Sequence, residues 1–129
     1  MGYEIIYHKQ YWDDHIAFYL MESHGHGLVR LTVYNDRYAE LSDLFVLEES
    51  RGNGIATALV NRAIECFKQC ELNPTELKAY LADDNPDKWF ISEFYQKLGF
   101  EHKGLEAPFK SFDEDKHELK WYNVFVLTN

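Results

Sequence analysis

Residues 44–56 read LFVLEESRGNGIA, and this stretch decides the fold. It passes from an apolar run into a turn with two glycines, Gly52 and Gly54, and then into the periodic pattern of a helix. Glycines allow the backbone to approach a ligand closely, and a helix N-terminus carries partial positive charge. The stretch therefore predicts an anion site of pyrophosphate size that is built from backbone N–H groups and needs no basic side chain.

The periodicity of the apolar residues places this turn within a series of strands and helices. Strand patterns precede the turn over residues 3–7, 15–21, 28–34 and 38–47. After it we expect a helix over 54–70, a strand over 76–82 and strands over 100–103 and 119–127. Between the strands at 76–82 and 100–103, Asp84-Asn85-Pro86 offers an N-cap with Pro86 at the first position of a helix that continues to Leu98. The order β-β-β-β-α-β-α-β-β predicts one α/β domain over residues 1–129, with a mixed, mostly antiparallel sheet flanked by helices.

The charge balance narrows the classes of partner. The 129 residues include 13 Lys and Arg against 22 Asp and Glu, which gives a net charge of −9. Binding to nucleic acid or to an anionic membrane needs a basic face, so neither is expected as a partner. No apolar run is long enough to span a bilayer, and the first residues lack the apolar core of a signal peptide, so we expect a cytoplasmic protein.

The spacing of cysteine and histidine predicts neither a disulfide framework nor a metal site. Cys66 and Cys70 lie one turn apart in a helical stretch and are expected to be small apolar residues of that helix. His24 and His26 stand in a glycine-rich turn without carboxylate partners, so we expect them to be exposed turn residues and not metal ligands.

Three known types of anion loop can be compared with the glycine turn. A P-loop requires Gly-Lys-Ser/Thr after the first glycine and four further residues, and that pattern is absent. A dinucleotide fingerprint requires Gly or Ala where this chain has Thr57. The third pattern is Arg/Gln-x-x-Gly-x-Gly/Ala after a strand that ends in Val, and RGNGIA at residues 51–56 fits it throughout.

A second block, EFYQKLGF at residues 93–100, follows the strand predicted at 76–82. Together with RGNGIA it resembles the signature blocks of the GNAT-superfamily N-acetyltransferases, which move an acetyl group from acetyl-coenzyme A to an amine. The resemblance is good over residues 39–104 and extends to the rest only in outline. It implies a GNAT-like fold, acetyl-coenzyme A as the co-substrate and no metal.

The resemblance also implies roles for individual residues. Main-chain amides would hold the pyrophosphate of coenzyme A at Arg51, Gly52, Asn53, Gly54, Ile55 and Ala56. Phe45 and Val46 would offer main-chain groups to the pantetheine arm. Tyr95 matches the tyrosine that protonates the leaving thiolate, for which a phenol near its ordinary pKa of about 10 is a sensible donor. The alternative for Tyr95 is a core aromatic on an amphipathic helix.

Glu40 matches the position where some family members have a glutamate that takes a proton from the ammonium, usually through water. An amine must be neutral to attack a thioester, and a lysine-like amine is mostly protonated at pH 7, so a base is required. By strand alternation Glu40 lies on the same face as Val46, and Asp43 lies on the other face as a weaker candidate. The alternative for Glu40 is a solvated carboxylate at the end of a strand.

Two departures from the family pattern bear on the substrates. The family often has an Asn that contacts pantetheine where this chain has Lys88, and the nearest asparagine is Asn85, so this contact is shifted or lost. Family members usually have two helices between the first two strands, whereas here only residues 8–14 lie between them. The acceptor pocket is therefore expected to be open, or to be closed by the loop at 105–118 or by a second subunit in a homodimer.

Charged residues outside the two signature blocks have two possible interpretations each. Lys97 and Arg62 are candidate contacts for the 3′-phosphate of coenzyme A, or plain surface cations. Residues 113–115 are expected to be solvated loop charge, or to attract a cationic acceptor. The resemblance implies acetyl transfer from acetyl-coenzyme A to a primary amine, either a small cationic amine or a protein lysine. The alternative is a degenerate family member that binds coenzyme A as a sensing or interaction module.

Overall fold

A computed structural model describes residues 2–106, 112–113, 118–119 and 121–129. The strands are β1 Ile5–Tyr11, β2 His15–Glu22, β3 Gly27–Tyr34, β4 Tyr38–Val46, β5 Glu76–Ala82, β6 Glu101–Glu106, β7 Phe112–Asp113, β8 Glu118–Leu119 and β9 Tyr122–Thr128. The helices are α1 Ile55–Gln69 and α2 Lys88–Lys97, with a short 3-10 turn at Glu48–Ser50. Among the described residues, seven strands of mostly antiparallel sheet and two helices confirm the predicted α/β class.

The chain forms two compact units, Met1–Leu77 with Asn129 and Lys78–Thr128, which we call the first and second units. The single domain over residues 1–129 stays a prediction. No helix in the described part of the chain is long and apolar enough to cross a membrane.

In the first unit, β1 to β4 form an antiparallel sheet in chain order, and α1 packs on one of its faces. Alternate strand residues are buried against the helix, which buries its own apolar stripe, including Leu59, Ala63 and Phe67. Gly27 permits this close approach, because a Cβ there would lie 3.0 Å from Leu59 Cδ1 and 3.1 Å from Ile55 Cγ2. The predicted helix over 54–70 is therefore present, with Gly54 and Cys70 as its caps.

A bulge in β4 places the residues that follow it on the opposite face of the sheet from the one that strict alternation predicts. The pairing of β3 with β4 shifts between Leu28 and Arg30, so that Asp43 and Leu44 stand opposite a single residue of β3. Asp43 adopts a positive φ of 58° at this point. Glu40 consequently shares a face with Phe45, and Val46 lies on the helix-covered face. The prediction that Glu40 and Val46 share a face was wrong, because strict alternation takes no account of an extra residue.

The first strand extends further than its pattern predicted. Residues 8–14 were expected to connect the first two strands, but β1 continues to Tyr11 and only a short turn at residues 12–14 precedes β2. The polar residues of this segment fit an edge strand, and the Lys9 ammonium pairs with the Glu71 carboxylate at 2.8 Å. The expected absence of two helices between these strands is confirmed, since β1 and β2 form a tight hairpin.

In the second unit, the strand order is β5-β9-β6, with β6 antiparallel to β9. Helix α2 begins at Lys88 with Asp87 as its N-cap residue, so the predicted start at Asp84 and Pro86 was wrong. The Asn85 side-chain oxygen instead accepts a hydrogen bond from the Asp87 N–H at 2.8 Å. Asparagine readily forms such a local turn, and this turn delays the helix.

The last strands differ from their predicted bounds. Leu105 and Glu106 belong to β6, although they were expected to begin a loop, and Leu119 pairs with Phe112 in the short β7–β8 ladder. The final strand begins at Tyr122. Most of the predicted loop at 105–118, including residues 114 and 115 of the acidic run, lies outside the described residues.

Candidate active site

The turn between β4 and α1 has the open backbone that an anion site requires. Gly52 and Gly54 have positive φ angles of 81° and 86°, and nothing lies within 4 Å of a Cβ built at either position. The first helical bond of α1 runs from the Ala58 N–H to the Gly54 carbonyl at 3.0 Å, which leaves the preceding N–H groups without partners inside the helix. Among the described residues, the N–H groups of residues 52–56 make no hydrogen bond to a backbone carbonyl, so the turn offers several donors beside open space.

Side chains within the turn hold it against the strand. The Arg51 Nε donates to the Val46 carbonyl at 3.0 Å, and its guanidinium lies 5.8 Å from the centre of the Phe45 ring. The Tyr3 hydroxyl donates to the Asn53 carbonyl at 2.8 Å. Arg51 thus anchors the turn, and its own N–H donates to the Glu48 carbonyl at 3.3 Å, so this amide is already used within the turn. Because these contacts fix the turn in place, a ligand need not order it, which favours binding.

Glu40 lies half-buried on the face of the first unit's sheet that α1 does not cover. Its carboxylate accepts a hydrogen bond from the Tyr38 hydroxyl at 3.2 Å. Burial raises the pKa of Tyr34, and the nearby Glu40 charge raises it further. A carboxylate bound by a phenol in this way has a defined position, which is what a base or a water-orienting group needs.

Tyr95 is buried in the second unit, with 6% of its surface exposed. Its ring lies 5.3 Å from both the Phe100 and Phe125 rings. Burial raises the pKa of Tyr95 to about 12, so the expectation of an ordinary phenol was wrong. The phenol stays protonated throughout the physiological range, and it is a weaker acid than the sequence suggested. The role of Tyr95 as a proton donor stays a prediction, with a core aromatic as the alternative.

The remaining predicted contacts are surface groups with local partners. The Lys97 ammonium lies 3.1 Å from the Glu93 carboxylate. The Arg62 guanidinium lies 2.8 Å from the Glu65 carboxylate. Asn85 is part of the turn before α2, and Lys88 at the family's asparagine position pairs with Asp83 at 3.1 Å. Their roles toward coenzyme A stay predictions.

The histidine turn has a carboxylate partner that the sequence analysis missed. Glu22 is 2% exposed, and its carboxylate lies 3.0 Å from His24 Nδ1 and 3.4 Å from His26 Nδ1. Burial alone would raise the pKa of Glu22, but hydrogen bonds from His24, His26 and Ser23 outweigh it and lower the pKa to about 2. The turn also contacts the segment between β4 and the glycine turn, because the Leu47 N–H donates to the His26 carbonyl at 2.9 Å. The spacing of Glu22, two positions before His24, could have indicated this carboxylate partner from the sequence.

The first unit brings most of the predicted residues together on one strand and its loop. Strand β4 carries Glu40, Phe45 and Val46 and leads directly into the loop at 51–56. Within the second unit, Tyr95 faces apolar rings, whereas Lys97 is exposed at the end of α2. No three His, Cys, Asp or Glu side chains in the described ranges are placed to hold a metal ion.

Comparison with known sequences identifies related proteins. The sequence model for the acetyltransferase (GNAT) domain matches residues 8–102. An uncharacterized N-acetyltransferase of Methanocaldococcus jannaschii is 42% identical over 65 residues, which are 50% of this chain and 26% of that protein. The chain thus spans about a quarter of the curated relative that it matches.

Solved structures of similar fold are also acetyltransferases. A nourseothricin acetyltransferase has a TM-score of 0.66 at 21% identity, over 90% of this chain and 66% of that one. The spermidine/spermine N-acetyltransferase of Vibrio cholerae has a TM-score of 0.65 at 21% identity, over 90% of this chain and 66% of that one. A variant form of that enzyme reaches 0.69 at 17% identity, over 97% and 95% of the two chains. At this level of identity the likeness concerns the fold.

Proposed function

The chain belongs to the GNAT acetyltransferase family, and from this we propose that it transfers an acetyl group from acetyl-coenzyme A to a primary amine. The observation that carries the proposal is the β4–α1 turn, where two glycines with positive φ leave open space in front of N–H groups that have no backbone partner among the described residues. Such a cradle fits a pyrophosphate without a basic side chain, which suits a protein with a net charge of −9. Acetyl-coenzyme A would supply the activated thioester.

The residues of this chain have three tasks in the proposed reaction. Two proton transfers need a protein group: one from the ammonium to a base before the neutral nitrogen bonds to the acetyl carbon, and one to sulfur as the carbon–sulfur bond breaks. The nitrogen loses its remaining extra proton to solvent as the amide forms. We assign the first transfer to Glu40, directly or through a water, and the second to Tyr95. The bulge at Asp43 takes backbone groups out of the β-ladder, and a free strand N–H is suited to stabilise the oxyanion.

A second function is a module that binds coenzyme A without catalysis. It is favoured by Lys88 at the family's asparagine position and by the burial of Tyr95, whose raised pKa makes it a weaker proton donor. In this alternative the loop at 51–56 keeps its role and Tyr95 is a core aromatic. Cytoplasmic localisation and a homodimer stay predictions under both functions.

Release of free thiol from acetyl-coenzyme A separates the two functions. We expect purified protein to release thiol with at least one member of a panel of primary amines. Tight binding of acetyl-coenzyme A without release across the panel would favour the binding module.

A glycine substitution tests the anion loop itself. Gly54→Val should abolish binding of acetyl-coenzyme A, because a branched side chain fills the cradle and opposes the positive φ. Gly25→Val is the matched control, since Gly25 also has a positive φ of 78° and open surroundings but lies in the β2–β3 turn. Binding retained by a folded Gly54→Val variant would contradict the proposed loop.

A further inference from the structure

The first unit has a concave apolar pocket of about 420 Å³ on the sheet face opposite α1. Its apolar surface comes from three residues that lie side by side on β1, β2 and β3. Met21 pairs with Ile6 on one side and with Leu28 on the other. Ile6, Met21 and Leu28 are 45%, 41% and 43% exposed. Tyr19 borders this row and is 38% exposed. A volume of this size is typical of sites for small molecules, which are mostly apolar with a few polar groups.

Two opposite charges line the same pocket without pairing to each other. The Arg30 Nε is buried and has no hydrogen-bond partner in the described part of the chain, and the guanidinium lies 5.5 Å from the Tyr19 ring centre. Asp43, which the bulge presents with a positive φ, lines the pocket as well. Within the described ranges, neither side chain takes part in an ion pair shorter than 4.0 Å. The pocket therefore combines an unpaired cation, an unpaired anion and an apolar floor.

From this combination we propose that the acetyl acceptor is an apolar α-amino acid, an inference that rests on the proposed acetyltransferase function. The α-carboxylate binds Arg30, the α-ammonium binds Asp43, and the side chain lies on Ile6, Met21 and Leu28. A planar guanidinium suits a carboxylate because it can donate two parallel hydrogen bonds. A polyamine has no group for Arg30 and would be repelled by it.

The position of the pocket agrees with a role in transfer. Leu28 pairs in register with Phe45, the residue whose backbone the family resemblance assigns to the pantetheine arm. The α-ammonium first loses one proton to the base, and the neutral nitrogen then bonds to the acetyl carbon. The carbon–sulfur bond breaks, nitrogen loses a second proton as the amide forms, sulfur takes one proton, and one proton is released in net to the solvent. The products are an N-acetyl amino acid and coenzyme A. Because the amide product has no ammonium, it loses its attraction to Asp43, which favours its release.

The test compares amino acids with amines that lack the carboxylate. Thiol release from acetyl-coenzyme A is measured with leucine and phenylalanine, with 3-methylbutylamine and phenethylamine, and with spermidine. We expect kcat/KM to be at least about tenfold higher for each amino acid than for its decarboxylated counterpart, because only the amino acid pairs with Arg30. Equal values, or a preference for spermidine, would overturn the inference and leave the proposed acetyltransferase function standing.

Variants of the two charged residues make the test specific. Arg30→Gln should lower kcat/KM for leucine by about 10- to 100-fold, whereas kcat/KM for 3-methylbutylamine should not fall, because its ammonium has no carboxylate to pair with Arg30. Asp43→Asn should lower both, and asparagine tolerates the positive φ of this position. Lys68→Gln is the control for loss of one positive charge, since Lys68 is exposed on α1, which packs on the other face of the sheet.

A binding measurement separates failure of the pocket from failure of the proposed activity. If no amine releases thiol, leucine is titrated calorimetrically into the wild-type protein and into Arg30→Gln. Binding by the wild type that Arg30→Gln loses would support the pocket for amino acids even though the transfer reaction had failed. Absence of leucine binding to the wild type would overturn the inference.

Discussion

At the scale of the residue, Tyr95 has two alternative roles, that of a proton donor and that of a core aromatic. Its family position suggests an acid, whereas its 6% exposure and its aromatic neighbours suggest a core residue. In the described part of the chain its hydroxyl has no side-chain hydrogen bond, so the hydroxyl adds little to stability where it is. Removing that single oxygen therefore separates the two roles.

We predict that Tyr95→Phe melts within a few degrees of the wild type but loses turnover by about 100-fold, the usual size of a lost proton donor. Thermal denaturation and thiol release measure the two effects. Tyr7→Phe, on the exposed part of β1, serves as the control. Unchanged turnover would make Tyr95 a core aromatic and leave the loop and the family membership untouched.

Glu22 is a second residue whose chemistry has a measurable consequence. Its pKa is lowered to about 2 in the folded protein, against an ordinary value near 4.5. A carboxyl group with a lowered pKa stabilises the fold above its unfolded pKa and loses that contribution as the pH falls. We therefore predict that the urea midpoint falls between pH 4.5 and pH 2 and that Glu22→Gln flattens this dependence.

The matched control for Glu22 is Glu65→Gln, on the exposed surface of α1. It should keep the pH dependence of the wild type. If Glu22→Gln were as sensitive to acid as the wild type, the buried carboxylate would not be the group responsible.

At the scale of the element, the spacing between α1 and the sheet depends on a position without a side chain. A Cβ at Gly27 would lie 3.0 Å from Leu59 Cδ1, and 3.1 Å from both Ile55 Cγ2 and the Phe45 carbonyl. Ile55 begins the helix whose N-terminus forms part of the proposed anion site. A change at Gly27 should therefore affect both stability and coenzyme binding.

We predict that Gly27→Ala lowers the free energy of unfolding by about 1–3 kcal/mol, the usual cost of overpacking. It should also weaken acetyl-coenzyme A binding, because the helix must move to make room. Urea denaturation and calorimetry measure these effects, and Gly2→Ala is the control, since nothing lies within 4 Å of a Cβ there. A fully stable Gly27→Ala variant would mean that α1 is packed less tightly than described.

At the scale of the whole molecule, the net charge of −9 sets the long-range electrostatics of binding. A polyanionic co-substrate is repelled by this charge, and the proposed site attracts it through short-range amide contacts. Salt screens the long-range repulsion over a Debye length of about 10 Å at 0.1 M and affects contacts inside the site much less.

We therefore predict that KM for acetyl-coenzyme A stays constant or falls as NaCl is raised from about 20 to 200 mM, a range that shortens the Debye length. Steady-state kinetics in both salts measure this, with potassium glutamate as a control for chloride-specific effects. A KM that rises steeply with salt would mean that basic side chains, and not backbone amides, carry the binding.

The sequence predicted the parts of the protein that depend on local pattern. Two short blocks indicated the family, and the domain match at residues 8–102 confirms it. The helix over 54–70 and the strand over 76–82 were also predicted, because long runs of apolar periodicity outweigh local exceptions. The start of α2 was not predicted, since the Asn85 turn competes with the Pro86 signal through a single hydrogen bond.

Tertiary structure alone decided how individual side chains of these elements are presented. The bulge at Asp43 moved Glu40 to the face of Phe45, burial raised the pKa of Tyr95, and Glu22 became the partner of both histidines. The first two effects depend on a neighbouring strand and on exclusion of water, which no local pattern encodes, whereas Glu22 is only two and four residues from its histidine partners. The sequence by itself thus determined the family and the glycine turn before α1, because both depend on short local patterns. The placement of Arg30 and Asp43 in one pocket came only from folding, because four strands must pair before their side chains share one face.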